Sequence, residues 1–480
     1  MRALKGGGAG LDNAPMLRSE RTWTGGTLLA SSTSTAVATW CFVLGGTVSY
    51  YLGAAAGTVI MMAGILIGIG AILVSIVPVS TKYGLDSALA SKPFLGSRGW
   101  FFTVGLLFLT LAGWNTVIVV ILGRAVTEIL LALGLVTEAA RTPTSIIAML
   151  SGLVVVWLVI RRGSSALAAS SKWIAIGVCV LAAAVLALVL QKVGLQGLLD
   201  TAPQAPFEDR ATNIAISLEA FIATAVAWWP YVGGMVRSVP SARKALWPSV
   251  FGLAVPLAAV SVIGLYAGLA IPESGGDPTM FLTDVGGLLF GVIALAFIVL
   301  ANIGSTMVGA YAAAVGVRQV PAVAARTSWS AVCAATLVPT ALVVIFFADG
   351  FVDNLPIFLA GCSLFFAPMC GIQAVDFLIL RRQRLDIRSL YTDGAANLYR
   401  FWGGFNPAAV IGFAAGIATF VALLNPVTYE PKGIFSYTTA SVPSMFVAGA
   451  VYWVASLVVR RLGKGGYGAA LQSTPETPVR

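Results

Sequence analysis

An all-α, integral-membrane fold of about twelve transmembrane helices is what this sequence predicts, on three observations. Of its 480 residues 58% are hydrophobic and only 10% are charged, whereas soluble domains run near a quarter charged. Mean hydropathy is +0.91. Apolar runs of about twenty residues, enough for a helix to cross a hydrocarbon core of about 30 Å, recur along the chain. The 52 glycines suit helices that approach one another closely in lipid.

The runs fall at about 25–50, 52–78, 99–133, 145–160, 172–190, 212–236, 247–271, 283–316, 328–348, 351–379, 405–424 and 441–460. They form one transmembrane domain over 21–462. A first repeat occupies about 25–190, a second about 212–379, and two extra C-terminal helices about 405–460. The segments 1–20 and 463–480 are rich in Gly, Pro and charge and read as disordered cytoplasmic tails. No apolar segment with a small-residue cleavage site opens the chain, so no signal peptide is expected.

Lys and Arg set the orientation. With the N-terminus inside, 24 of the 29 basic residues fall in cytoplasmic segments, among them the stretch 381–388. The outer loops keep only Arg141, Lys192, Arg210 and Lys432, and Arg124 lies within the third span. The net charge of +10 is therefore topological and not a nucleic-acid footprint. Both termini are expected in the cytoplasm and the chain in the plasma membrane. Cys41, Cys179, Cys333, Cys362 and Cys370 lie in apolar runs without a CxxC pair and read as buried apolar side chains. Histidine is absent, which removes histidine triads, metal sites and proton relays.

Two spans look built to break, where unwound carbonyls can face a cavity. The first holds Ser31-Ser32-Thr33-Ser34-Thr35, Thr39 and Gly45-Gly46, and the sixth holds Trp228-Trp229-Pro230-Tyr231 and Gly233-Gly234. Hydroxyls bonding back to their own helix and a simple proline kink are the plainer readings. The corresponding places of the two spans in their five-helix halves favour the functional one.

Three stretches carry a family resemblance: Lys82-Tyr83-Gly84-Leu85-Asp86 with Phe94-Leu95-Gly96-Ser97-Arg98-Gly99; Gly371-Ile372-Gln373 through Arg381-Arg382; and Gly403-Gly404-Phe405-Asn406. On them the chain, from Arg21 to about Val459, resembles the nucleobase:cation symporter-1 family of purine, cytosine, hydantoin and allantoin permeases. The resemblance implies a leucine-transporter-like fold with a 5+5 inverted repeat plus two helices. It places the family's stacking tryptophan at Trp114. Trp228, Trp229 and Tyr231 match the sixth-span segment of purine-cytosine permeases, although Gly234 stands where those carry an acid and Ala225 where hydantoin permeases carry a tryptophan. Two family amides fall on Ala38 and Ala310, for which Asn115, Asn302, Thr39 and Tyr311 could substitute. The family's sodium ligands fall on Ser34, Val37, Ala301 and Ser305, with Gly304 replacing a hydroxyl and Thr306 beside it. Oxygen-only ligands are what a small hard cation requires.

Intramembrane acids offer a second coupling route. Glu219 reads as a proton-coupling group, a vestibule residue or a partner of Arg124. Glu128, four residues from Arg124, reads as the partner of that arginine, and Asp376 as a residue at the inner membrane surface.

The expectation is a secondary transporter that imports a planar nucleobase-like ring by symport with Na⁺ or H⁺. It needs no cofactor beyond the coupling ion, and no obligate protein partner is evident. An amino-acid transporter of the same fold is the rival, but the first-span break is Ser/Thr-rich where a carboxylate cradle would be glycine-rich. Without histidine or paired intramembrane carboxylates an enzyme is not expected, and no filter-like repeat suggests a channel.

Overall fold

The computed structural model describes residues 15–162, 165–392 and 397–467; the outer parts of both expected tails, 1–14 and 468–480, lie outside the described residues. Its helices are α1 Gly25–Ala36, α2 Trp40–Val48, α3 Ala54–Ser75, α4 Val77–Tyr83, α5 Ser87–Leu95, α6 Trp100–Ala132, α7 Arg141–Ile160 and α8 Ser165–Asp200. They continue as α9 Arg210–Val226, α10 Trp229–Val236, α11 Ala242–Ala270, α12 Leu288–Arg318, α13 Trp329–Phe346, α14 Leu355–Ala374, α15 Pro407–Leu423 and α16 Ser441–Arg461. Among the described residues nine helices are long and apolar enough to cross a membrane, and two bent pairs, α1–α2 and α9–α10, each pass as one crossing. The shorter apolar helix α15, counted as a crossing, makes the twelve expected.

Both expected breaks are present, and their causes differ. Thr24 caps α1 by accepting the Thr27 N–H. The hydroxyls of Ser34 and Thr35 then both donate to the Ser31 carbonyl, the local competition that weakens a helix end. Val37 is extended at φ −81°, ψ 106°, and α2 leaves at 69° to α1. In the sixth span Pro230 has no N–H to continue the ladder. The helix restarts there with Pro230 in its first turn, bent by 41°.

Packing sorts the spans into groups. One contains α1–α2, α3, α9–α10 and α11, and a second contains α6, α7, α12 and α13; α14, α15 and α16 pack on one another beside α9. Small residues permit the closest approaches: a Cβ on Gly45 would lie 1.7 Å from the Ser261 carbonyl oxygen on α11.

The expected pairing of Arg124 is corrected at this level. Arg124 binds Asp277 at 3.2 Å, in the loop after α11, and Asp349 at 3.0 Å, in a short helix at Ala348–Asp353, and not Glu128. Glu128 instead pairs with Arg141, whose side chain also binds Glu138 at 2.7 Å. Helical spacing put Arg124 and Glu128 on one face but could not show that segments far along the chain supply nearer charges. Asp376 is 2% exposed and lies in a π-helical turn, Val375–Leu380. There it pairs with Arg381 at 2.7 Å and accepts from the Tyr452 hydroxyl at 2.6 Å. Arg381 also donates to the carbonyls of Gly465 and Pro93, so part of the expected tail is packed into the bundle. Cys179 is exposed, unlike the other four cysteines.

Candidate functional site

A cavity opens where the two helix groups face each other, with both breaks at its wall. The first group supplies Ser34, Thr35, Ala38 and Trp40 from the α1–α2 break, and Ala227, Trp228 and Tyr231 from the α9–α10 break. The second supplies Trp114, Asn115 and Ile118 from α6, and Ser305, Val308 and Gly309 from α12.

Trp114 forms the aromatic wall. Its ring lies 4.5 Å from that of Trp40, tilted by 48°, and meets Phe358 of α14 edge-on at 5.5 Å. Gly113 makes that second contact possible, since a Cβ there would lie 2.2 Å from the Phe358 ring. Across the cavity Trp228 and Tyr231 meet at 5.3 Å.

Asn115 is 1% exposed, and neither atom of its carboxamide has a hydrogen-bond partner. Orphaned buried polar groups cost about 1–3 kcal/mol each, and this pair belongs to a residue of the cavity lining.

The polar residues around the breaks are tied together. Thr39 donates to the Asn302 side-chain oxygen at 2.5 Å, which links the first break to α12. The Thr306 hydroxyl donates to the Asn302 backbone carbonyl at 2.7 Å. Beyond the first break hydrogen bonding resumes with Cys41 N–H to Ala38 and Phe42 N–H to Thr39. The carbonyls of Ser34 and Val37 are left without a backbone partner among the described residues. Of the five residues expected to hold a cation, Ser34 and Val37 stand at this break and Ala301, Ser305 and Thr306 on α12, and only Ser34 and Ser305 are in the cavity lining. Gly304 has a packing reason: a Cβ there would lie 2.1 Å from Ile174 of α8.

Of the residues singled out from sequence, Trp114, Asn115, Trp228, Tyr231, Ser34 and Ser305 line the cavity. Thr39, Asn302, Val37, Ala301 and Thr306 are buried beside the break or on α12. Trp229 is turned away: it stacks on Phe366 at 6.0 Å, and its indole N–H donates to Gln373 at 2.8 Å. Neighbouring helical residues project about 100° apart, so Trp228 and Trp229 cannot both face the cavity. Tyr311 packs edge-on against Trp329 at 5.3 Å, outside the lining.

Glu219 is buried on α9, away from the cavity lining, and has no contact with Arg124. It accepts the backbone N–H groups of Ala440 at 2.9 Å and Ser441 at 3.0 Å, together with the Ser441 hydroxyl. That is a helix cap for α16, whose own N-cap residue, Ala440, supplies none. Sequence reading missed Trp40, Ile118, Ala227, Val308 and Gly309 in the cavity. Only the aromatic placed directly after the break, Trp40, left a signal that could have been noticed.

Comparison with known proteins gives a consistent picture. A family model described as a permease for cytosine/purines, uracil, thiamine and allantoin matches residues 15–454. The purine-uracil permease NCS1 of Arabidopsis thaliana is 32% identical over 111 residues, which is 22% of this chain and 18% of that protein's length. Among solved structures, Mhp1, a nucleobase-cation-symport-1 family transporter, closed with bromovinylhydantoin bound, superposes with a TM-score of 0.76 at 18% identity. That match covers 94% of this chain and 96% of the other. Inward-facing Mhp1 gives 0.75 at 17%, over 94% of both chains. An outward-open Na⁺-coupled sialic acid symporter gives 0.60 at 13%, over 92% and 91%. The fold is thus the leucine-transporter-like one, and the relatives are transporters, not enzymes.

Proposed function

We propose that this chain, which belongs to the family of permeases for cytosine/purines, uracil, thiamine and allantoin, imports a planar nucleobase-like heterocycle by cation symport. The observation that carries the reading is Asn115 beside Trp114: an unsatisfied carboxamide next to an indole, facing a cavity between two helix groups. A flat ring stacks on Trp114, and Asn115, with both a donor and an acceptor, reads the polar edge of that ring. Trp228 and Tyr231 close the opposite wall. Thr39 and Asn302 hold the first break against α12, and Trp229 and Tyr311 support the helices behind the lining.

Na⁺ is the coupling ion of this reading, held by the carbonyls of Ser34, Val37 and Ala301 and the hydroxyls of Ser305 and Thr306. The two unpaired carbonyls at the break support it. Ser34 and Ser305 stand on opposite helix groups and also line the cavity. Cation binding therefore draws the groups together around the ring, which couples the two ligands during alternating access. The end bearing Arg381–Arg388 faces the cytoplasm, on the excess of basic residues at that end, and the membrane of this reading is the plasma membrane. Uptake of labelled pyrimidines, purines, hydantoins and related vitamin rings into proteoliposomes, with Na⁺ and pH gradients imposed separately, tests the proposal. Na⁺-dependent uptake of one such ring is the expected result; uptake of amino acids instead would overturn it.

A further inference from the structure

A second cavity lies at the end of the bundle that carries Arg381–Arg388. Two of the sequence motifs that the transport site does not use build its floor. Gly96 and Gly404 adopt φ +104° and +100°, conformations that favour glycine. Between them the chains interlock: the Arg98 N–H donates to the Gly404 carbonyl at 2.8 Å, the Asn406 N–H to the Leu95 carbonyl at 2.9 Å, and the Asn406 side chain to the Phe94 carbonyl at 2.7 Å. A Cβ on Gly404 would lie 2.6 Å from the Arg98 side chain, so the glycine clears the path along which that stem runs.

The wall of this cavity is basic. Lys92, Arg98 and Arg400 line it with Ser97, Trp100 and Asn397, and no acid is in its lining among the described residues. Lys92 donates to the Leu390 carbonyl and lies over the Trp100 ring at 6.0 Å. Neither Arg98 nor Arg400 has a side-chain hydrogen bond or ion pair among the described residues. Asp86, bound to the lining residue Gln319 at 2.9 Å, is also held by the Leu89 N–H and by Arg237 at 3.9 Å. Exposed aromatic rings stand nearby in the chain: Phe101 at 42%, Trp402 at 41% and Phe405 at 51%. Of these, the amphipathic ring of Trp402 is of the kind that favours the headgroup level of a bilayer.

We propose that this cavity binds the phosphate of an anionic phospholipid headgroup, clamped between the Arg98 and Arg400 guanidiniums. Planar guanidiniums bind phosphate oxygens in pairs. Trp402, exposed beside this cavity in the chain, places that phosphate at the depth where a headgroup sits, with the acyl chains running along the apolar helix faces. The leaflet assignment rests on the orientation proposed above; the site itself does not depend on which ring is transported.

Native mass spectrometry of the full-length protein, released from membranes containing phosphatidylglycerol and phosphatidylcholine, tests this. Selective retention of phosphatidylglycerol is expected. Arg98→Gln and Arg400→Gln should each reduce it roughly fivefold, the contribution of one basic residue at an anionic surface. Arg98→Lys, which keeps the charge if the glutamine variant fails to fold, should lose less. Lys244→Gln, at the same end of the bundle but outside the cavity, should change nothing. Equal retention of the two lipids, or an equal loss in Lys244→Gln, overturns the site. Inorganic phosphate that binds as tightly alone, and displaces the lipid at millimolar concentration, assigns the cavity to a soluble phosphate and overturns the headgroup.

Discussion

Gly309 of α12 lies against the Asn115 side chain of α6 so closely that a Cβ on the glycine would stand 2.2 Å from the amide oxygen. The space left by one helix thus positions the unsatisfied carboxamide of another. Gly309→Ala should push the amide out of place, and Asn115→Leu should remove it. Both are expected to weaken ring binding about ten- to hundredfold, the worth of about 1–3 kcal/mol for buried hydrogen bonds. Equilibrium binding to purified protein checks this, and unchanged affinity in both variants would remove Asn115 from the site.

Trp114 should behave as a stacking wall. Trp114→Ala is expected to cost about 1–3 kcal/mol of ring binding, and Trp114→Phe should recover much of it. Because Trp114 also touches Trp40 and Phe358, the alanine variant should melt at lower temperature as well. Normal insertion with an unchanged KM in Trp114→Ala would defeat the assignment.

Two coupling schemes make opposite forecasts. If the oxygen set holds Na⁺, Ser305→Ala/Thr306→Ala should abolish Na⁺ dependence, since no lipid group can replace two lost hydroxyl ligands. Glu219→Gln should leave Na⁺ coupling intact and lower thermal stability by about 1–3 kcal/mol, because an amide cannot accept all three hydrogen bonds at the start of α16. Uptake driven by a proton gradient without Na⁺, lost in Glu219→Gln and kept in the double variant, would reverse the assignment.

The Asp376–Arg381 pair predicts a stability effect. Arg381→Met leaves a buried carboxylate uncompensated and should cost about 3–5 kcal/mol. Adding Asp376→Asn removes that charge and should restore much of the loss. Melting of the two variants in one detergent compares them; equal destabilisation would mean that the charge pairing is not what matters.

Orientation has a direct check. Gln383 is exposed in the basic stretch, so a cysteine placed there should react with an impermeant thiol reagent in inverted vesicles but not in intact cells. Labelling in intact cells would reverse the proposed topology.

The sequence by itself determined the membrane class, the helical spans and the two breaks, because each follows from local chemistry. Apolar length, a run of hydroxyls that compete for carbonyls, and a proline without an N–H act on their own segment. Trp114 was singled out through the family resemblance and not by local chemistry, and the fold places it in the cavity wall. Only the tertiary structure decided which of Trp228 and Trp229 faces the cavity, that Arg124 binds Asp277 and Asp349, and that Glu219 caps α16. Those outcomes depend on helix rotation and on partners far away in the chain. Gly309 shows the same limit: its role exists only because Asn115, 194 residues earlier, arrives on a helix from the other half of the repeat.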